Sequence, residues 1–169
     1  GGSVDLDVNT LNSASTATGG VSLNLPDPDN SGVTVTSITA TTSGDINVES
    51  TGGGDGSGTF TFASVMAADG NIDISAAEGN ITARAISTAA TAGKTIAITV
   101  SQADKLLTHD SGAIVTDDGQ VILSADNIDL SGGTIASDAA NIQLRPTAAA
   151  QNIDIGDGAA DSTATLGLT

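Results

Sequence analysis

Three features of the amino-acid sequence predict an all-β fold, a right-handed parallel β-helix of about seven coils with roughly 25 residues each. Short segments alternate apolar and polar residues, as a strand with one buried face does. These segments recur at a nearly constant spacing along the chain. No segment of helical length shows a persuasive 3.6-residue period, which argues against helices.

Seven alternating segments form the main series of predicted strands. Their first apolar residues lie at positions 4, 21, 46, 72, 96, 121 and 142, so the four middle steps are 24 to 26 residues. In residues 70–74 (G-N-I-D-I), Ile72 and Ile74 share one face of the strand and Asp73 takes the other. The series comprises residues 4–8, 21–25, 46–48, 72–74, 96–100, 121–123 and 142–144.

Further apolar segments between these strands predict the other sides of each coil. The second series comprises residues 33–35, 60–62, 81–83, 128–130 and 153–155, and a third is marked by Ile38, Ile86, Ile114 and Ile135. Strands joined by so few residues cannot be parallel neighbours in one flat sheet. They form either antiparallel hairpins or successive sides of a coil, and the constant step favours coils, with the usual right-handed winding.

Stacked coils would place equivalent residues above one another in columns. The predicted inward column is Ile72, Ile96, Val121 and Ile142. The predicted outward column is Asp5, Ser22, Asn47, Asp73, Ala97, Ile122 and Gln143, in which only Ile122 is a large apolar residue. Asparagines that precede isoleucines, such as Asn71 and Asn80, would hydrogen-bond along the axis at the corners.

Two segments interrupt the alternation. Residues 52–58 (G-G-G-D-G-S-G) predict a loose surface turn. Residues 101–112 break the pattern, and we expect a helical turn there, with Ser101 as its cap and Leu106 and Leu107 packed on the rod.

Composition excludes several classes of partner. The 169 residues carry 20 acidic and four basic side chains, for a net charge of −16, so nucleic acid and anionic membranes are not expected partners. No apolar run reaches the roughly 18 residues of a membrane helix. The chain has no cysteine, which suits an exported protein. We expect residues 1–169 to be one β-helical domain cut from a longer chain.

Residues 27–32 (D-P-D-N-S-G) begin like a calcium loop, with candidate oxygen ligands on Asp27, Asp29 and Ser31. An EF-hand requires a bidentate Glu at the twelfth position, where this chain has Ile38. A turn between strands is therefore the favoured interpretation, and no cofactor is predicted. The turn at residues 53–58 resembles a calcium-binding nonapeptide but has Gly where Asp is required.

Candidate catalytic residues are few, and no enzyme activity is predicted. His109 is the only histidine, and adjacency to Thr108, Asp110 and Ser111 does not make a triad, so we expect a surface loop residue. Asp117 and Asp118 could act as paired carboxylates of a carbohydrate-active enzyme. Such an enzyme needs cations and aromatics to hold its substrate, and aromatics are 1% of this chain.

Threonines recur at outward positions, and Thr34, Thr61 and Thr82 would align on three coils, as on an ice-binding face. The acids Asp129 and Asp154 follow further along the chain. Ordinary β-propensity is therefore the favoured explanation of the threonines.

Residues 70–74, 119–125 (G-Q-V-I-L-S-A) and 126–130 (D-N-I-D-L) resemble the repeats of filamentous-haemagglutinin-type bacterial exoproteins. Residues 141–147, followed by 153–156 and 165–169, resemble a module of such β-strand-repeat arrays. The resemblance implies a right-handed β-helix, export by a two-partner or autotransporter-like route, and an extracellular or cell-surface location.

From this resemblance we expect a structural stalk or adhesive segment of a secreted adhesin. Its partners would be further coils of the same chain and surface glycans or proteins. Two alternatives remain open. One is a self-assembling fibre subunit whose coils stack end to end, and the other is a carbohydrate-active enzyme on a β-helix.

Overall fold

The structure is a computed structural model that describes residues 3–27, 31–51, 56–89 and 93–147, with the backbone of 152–155 and 165–168. These ranges contain nineteen strands, and the pairs between them are parallel. Within them we find no helix of the length and apolarity that a membrane span requires. The strands are β1 Val4–Asp5, β2 Thr10–Leu11, β3 Ala14–Thr16, β4 Val21–Leu25, β5 Val33–Val35, β6 Ile38–Ala40, β7 Ile46–Ser50, β8 Thr59–Ala67, β9 Ile72–Ala76, β10 Asn80–Thr88, β11 Ile96–Val100, β12 Leu106–Thr108, β13 Ala113–Val115, β14 Val121–Ser124, β15 Asn127–Asp129, β16 Thr134–Ala136, β17 Ile142–Arg145, β18 Asn152–Ile155 and β19 Thr165–Leu168.

The strands form the three faces of a β-solenoid, which confirms the predicted fold class. The first face is the seven-stranded sheet β1-β4-β7-β9-β11-β14-β17. The second face contains β2, β5, β12, β15, β18, β19 and the first halves of the long strands β8 and β10. The third contains β3, β6, β13, β16 and the second halves of β8 and β10. The strands from β1 to β17 pair with their equivalents one coil away.

The stack has about five turns, slightly fewer than the seven coils predicted. On the first face, the strands β4, β7, β9, β11 and β14 bury their inward apolar side chains. The outermost strands do not, since Val4 in β1 is 52% exposed and Ile142 in β17 is 44% exposed. Among the described residues, an outermost strand has a neighbouring strand on one side only, so its inward residues have fewer neighbours than those of a middle strand.

The predicted columns of the first face are confirmed over most of the stack. Ile46, Ile72, Ile96, Val121 and Ile142 lie in register, and so do the outward residues from Ser22 to Gln143. Ile142 lies in the inward column, as predicted, and is exposed because it is at the end of the described sheet. One detail of the prediction is wrong. Asp5 pairs with Asn24 rather than Ser22, because β1 meets β4 two residues further along the strand.

The second and third series are also confirmed as strands, with two corrections. Leu106 begins β12 instead of a helical turn, because its main chain pairs in parallel with β10 and β15 and Leu107 is buried in the core. Near the end of the chain, β19 lies between β15 and β18, so the backbone of residues 153–155 does not stack directly on β15 as the repeat would predict.

The corner before the first face carries hydrogen bonds along the axis. The Asn71 side chain donates to Asp45 Oδ1 at 3.2 Å, and Asn71 Oδ1 accepts from the Thr95 amide at 3.0 Å. At the next corner Asn80 Oδ1 accepts from the Leu106 amide at 2.9 Å. The predicted axial bonding by asparagines therefore occurs, but the partners in these bonds are Asp, Thr and Leu residues one coil away.

Close backbone contact at the same corner explains one recurring glycine. A Cβ built on Gly70 would lie 2.0 Å from the carbonyl oxygen of Gly44, one coil away. A side chain there would push the coils apart, so glycine is needed for the coils to stack at this corner.

We predict opposite outcomes for two neighbouring substitutions in β9. Ile72→Asp should unfold the stack, because it buries an unpaired carboxylate in a column of apolar side chains. Asp73→Asn should keep the fold, because the residue faces outward. Far-ultraviolet circular dichroism and thermal melts measure both effects. Equal tolerance of the two changes would contradict the observed register of β9.

Candidate functional site

An open groove lies on the first face of the solenoid. Its volume is ≈ 200 Å³, and its lining residues are Ser3, Ser22, Leu23, Asn47, Val48, Glu49, Asp73 and Ser75. Leu23 and Val48 turn their side chains into the core, so their main chain forms the floor. Outward side chains form the walls, because side chains alternate across a strand.

The register assigns the groove residues to two walls. Ser22, Asn47 and Asp73 form one outward column, and Glu49 and Ser75 belong to the next. The two columns are two residues apart along each strand, which is roughly 7 Å. The groove therefore runs parallel to the solenoid axis across three strands, and Glu49 and Asp73 lie on opposite walls of it.

The electrostatics of the groove depend mainly on Asp73. This side chain keeps more than a third of its surface exposed, but partial burial by its neighbours raises the pKa of its carboxyl group above the ordinary value. The charged form is thus less favourable in the folded chain than in the unfolded one. Because the folded chain holds the Asp73 proton more tightly than the unfolded chain does, protonation of Asp73 stabilises the fold at low pH. This stabilisation is lost as the pH rises through the raised pKa.

The predicted carboxylate pair is part of a larger cluster. Asp117 and Asp118 lie on one corner, and Asp138 joins them from the next coil, with carboxylate oxygens within 4.8 Å of one another. Asp118 Oδ1 accepts a hydrogen bond from the Ala139 amide at 3.2 Å. Sequence reasoning missed Asp138, although its distance of about one coil from Asp117 was a usable signal.

The calcium candidates of residues 27–32 divide into described and undescribed positions. Asp27 is buried, and its Oδ2 accepts a hydrogen bond from the Gly32 amide at 2.9 Å, which closes the turn. Ser31 is exposed, and Asp29 lies outside the described residues. In the glycine-rich turn, residues 52–55 also lie outside them, while Gly56 and Gly58 are buried. That neither turn binds calcium therefore stays a prediction.

The expectation that His109 lies in a surface loop is wrong. Its side chain is 2% exposed, and its two ring nitrogens contact backbone carbonyls of two different coils. Nδ1 lies 2.8 Å from Ala83 O, and Nε2 lies 3.2 Å from Thr134 O. The ring thus connects the coil before it to the coil after it. Residues 106–108 form β12, so this segment packs on the stack and carries His109 inward.

Asp110 and Ser111 point away from this buried ring and into a surface ion pair. Arg84 donates two hydrogen bonds of 3.0 Å to the Asp110 carboxylate, and Ser111 donates a third at 2.9 Å. The Arg84 hydrogen bonds, followed by that of Ser111, lower the pKa of Asp110. The stabilisation is therefore present above the ordinary pKa of aspartate and is lost as pH falls through the lowered one. The pair is exposed, so its contribution is small.

The aligned threonines of the second face form a longer column than the sequence predicted. Thr34, Thr61 and Thr82 lie in register, as expected, and Thr10 and Thr108 extend the column at its two ends. Asp129 follows Thr108, so a carboxylate ends the run of hydroxyls.

Comparisons with known proteins give no identification. No family model, no curated protein and no solved structure matches this chain. The candidate function therefore depends on the fold and on the geometry of the described residues.

We predict that His109 is needed for stability. His109→Ala should lower the free energy of unfolding by about 2–4 kcal/mol, because it leaves a cavity and removes the ring's contacts with two coils. Ser111→Ala is the matched control on the exposed side of the same segment and should change stability by less than about 0.5 kcal/mol. Urea denaturation followed by circular dichroism measures both values. Equal values would contradict a structural role for the imidazole.

Proposed function

We propose that this chain is a structural stalk and adhesive segment of a secreted or surface-exposed bacterial adhesin of the filamentous-haemagglutinin type. The observation that supports it best is the uninterrupted parallel pairing of equivalent strands over the whole first face. Such a stack extends in one direction by adding coils. It holds whatever is attached to its end at a fixed distance from its base.

Surface composition supports the same role. The net charge of −16 keeps an extended rod soluble and repels anionic cell surfaces and nucleic acid. The core consists of aliphatic side chains with Phe60 and Phe62 as its aromatic members, so each coil contributes a similar small share of buried apolar area. The partners of this segment are then further coils of the same chain, outside the cell.

A surface-display experiment tests the stalk. The segment is placed between an outer-membrane anchor and a small binding domain, and adhesion of the cells to a coated surface is measured under flow. We expect the wild-type segment to support more adhesion than the unfolded Ile72→Asp variant at equal surface density, because a folded rod holds the binding domain away from the cell envelope. Equal adhesion by the two would reject the stalk.

A self-assembling fibre subunit is the second candidate. The observation that favours it is the exposure of Val4 and Ile142, which lie in the outermost described strands of the first face. Apolar side chains and unpaired strand edges at the two ends of a stack are a template for pairing with another copy.

We predict the outcome of the fibre test from these exposed ends. If coils stack end to end, light-scattering mass should rise with protein concentration and negative-stain images should show filaments one rod wide. Ile142→Lys should abolish both effects, because it places a charge in the contact. The exposed Met66 on the third face provides the control, since Met66→Lys should leave the filaments intact. A monomeric rod at all concentrations would reject the fibre.

A further inference from the structure

The groove on the first face combines two features that point to a ligand. It is open at the surface and follows the solenoid axis, and its two walls carry one carboxylate each, Glu49 and Asp73. The ion pairs of the described residues are Arg84 with Asp110 and Lys94 with Asp69, so neither groove carboxylate is paired with a protein cation. A cationic group bound between the walls would supply the missing charge.

The positions of the two acids define where that group would bind. Asn47 pairs with Asp73 and Glu49 pairs with Ser75, so the two acids are diagonal neighbours on adjacent strands. With adjacent strands about 4.8 Å apart and the two positions about 7 Å apart along the strand, the two residues are roughly 8 Å apart, a span that one small cation between the two carboxylates can bridge. Partial burial makes the charged form of Asp73 less favourable and so raises its pKa. An opposite charge beside the carboxylate would offset that cost.

The remaining side chains of the groove are hydrogen-bonding groups of the kind that bind sugar hydroxyls. Ser22 and Asn47 line one wall and Ser75 the other, so hydroxyl and amide groups flank the acids on both sides. No aromatic residue lines the groove, so a sugar cannot be held there by stacking on a ring. At ≈ 200 Å³ the groove is smaller than sites for drug-sized ligands and suits one sugar unit.

We propose that this groove binds a cationic amino sugar, a hexosamine unit with a free ammonium group. The ammonium group lies between Glu49 and Asp73 and donates charge-assisted hydrogen bonds to both. The sugar hydroxyls exchange hydrogen bonds with Ser22 and Asn47 and donate to Ser75, whose own hydroxyl donates to Val48 O at 3.5 Å. Selectivity comes from charge, because an acetylated amine presents a neutral amide to the same two acids.

This site is separate from the mechanical role. Loss of ligand binding would leave the stacking of coils and the surface-display result unchanged, since Glu49 and Asp73 face outward and contribute nothing to the buried core. Conversely, failure of the stalk experiment would not affect binding in the groove. The two proposals can therefore fail independently.

Nuclear magnetic resonance titration of the ¹⁵N-labelled chain tests the site at neutral pH and low salt. The probes are glucosamine, N-acetylglucosamine and glucose. We expect glucosamine to shift amide signals in β4, β7 and β9 with a saturable curve, and each neutral sugar to bind at least about tenfold more weakly. Because the contact is between charges at the surface, 0.5 M salt should weaken glucosamine binding.

Three variants complete the test. Asp73→Asn and Glu49→Gln should each weaken glucosamine binding by about tenfold, which corresponds to about 1.4 kcal/mol. Asp118→Asn removes one negative charge at the acidic corner, where the asparagine amide oxygen can still accept from the Ala139 amide, and it should leave binding unchanged. Circular dichroism confirms that each variant is folded.

Any one of several results would overturn the proposal. They are shifts of equal size with N-acetylglucosamine, no loss of affinity in either groove variant, an equal loss in Asp118→Asn, and an absence of saturable shifts at any accessible concentration. Tighter binding of calcium than of glucosamine at the same residues would also overturn it. That result would identify a site for a divalent cation with oxygen ligands instead.

Discussion

Main-chain hydrogen bonds join each strand to its equivalent one coil away, and the other features of this protein depend on them. Because the pairing is parallel and in register, every side chain lies above and below its counterpart. A column is therefore buried or exposed along most of its length. The core is built from these columns of Ile, Val, Leu and Ala rather than from a few large side chains, which explains how a chain with 1% aromatic residues fills its interior.

Polar side chains at the corners reinforce this pairing where strands end. Asn71 connects to the coils on both sides through Asp45 and Thr95, and His109 does so through two carbonyl groups. Inside another corner, Thr88 donates to Thr116, which in turn donates to Lys94 O. These contacts occur where the chain turns and its backbone groups leave the sheets. At His109 and Thr116 they satisfy side chains that would otherwise be buried without partners.

The outward columns are free to differ from coil to coil, since they contribute little to the core, and this is where binding can arise. On the first face, serine, asparagine and aspartate follow one another in the column that forms one wall of the groove. On the second face, threonines occupy the same position in five coils. One scaffold can thus combine mechanical extension with local recognition, and the two depend on opposite sides of the same strands.

The sequence by itself determined the fold class, the coil step and most strand positions, because alternation and spacing are local properties of the chain. It also determined that Asp73 faces outward and Ile72 inward. Only the tertiary structure decided which residues meet across coils: Asp138 joins Asp117 and Asp118, Asp73 faces Glu49 across a groove, and His109 is buried rather than exposed. The reason is that corner lengths vary between coils, as in residues 101–105 before β12. The register on each side of a corner is therefore set by pairing with neighbouring coils and not by distance along the chain.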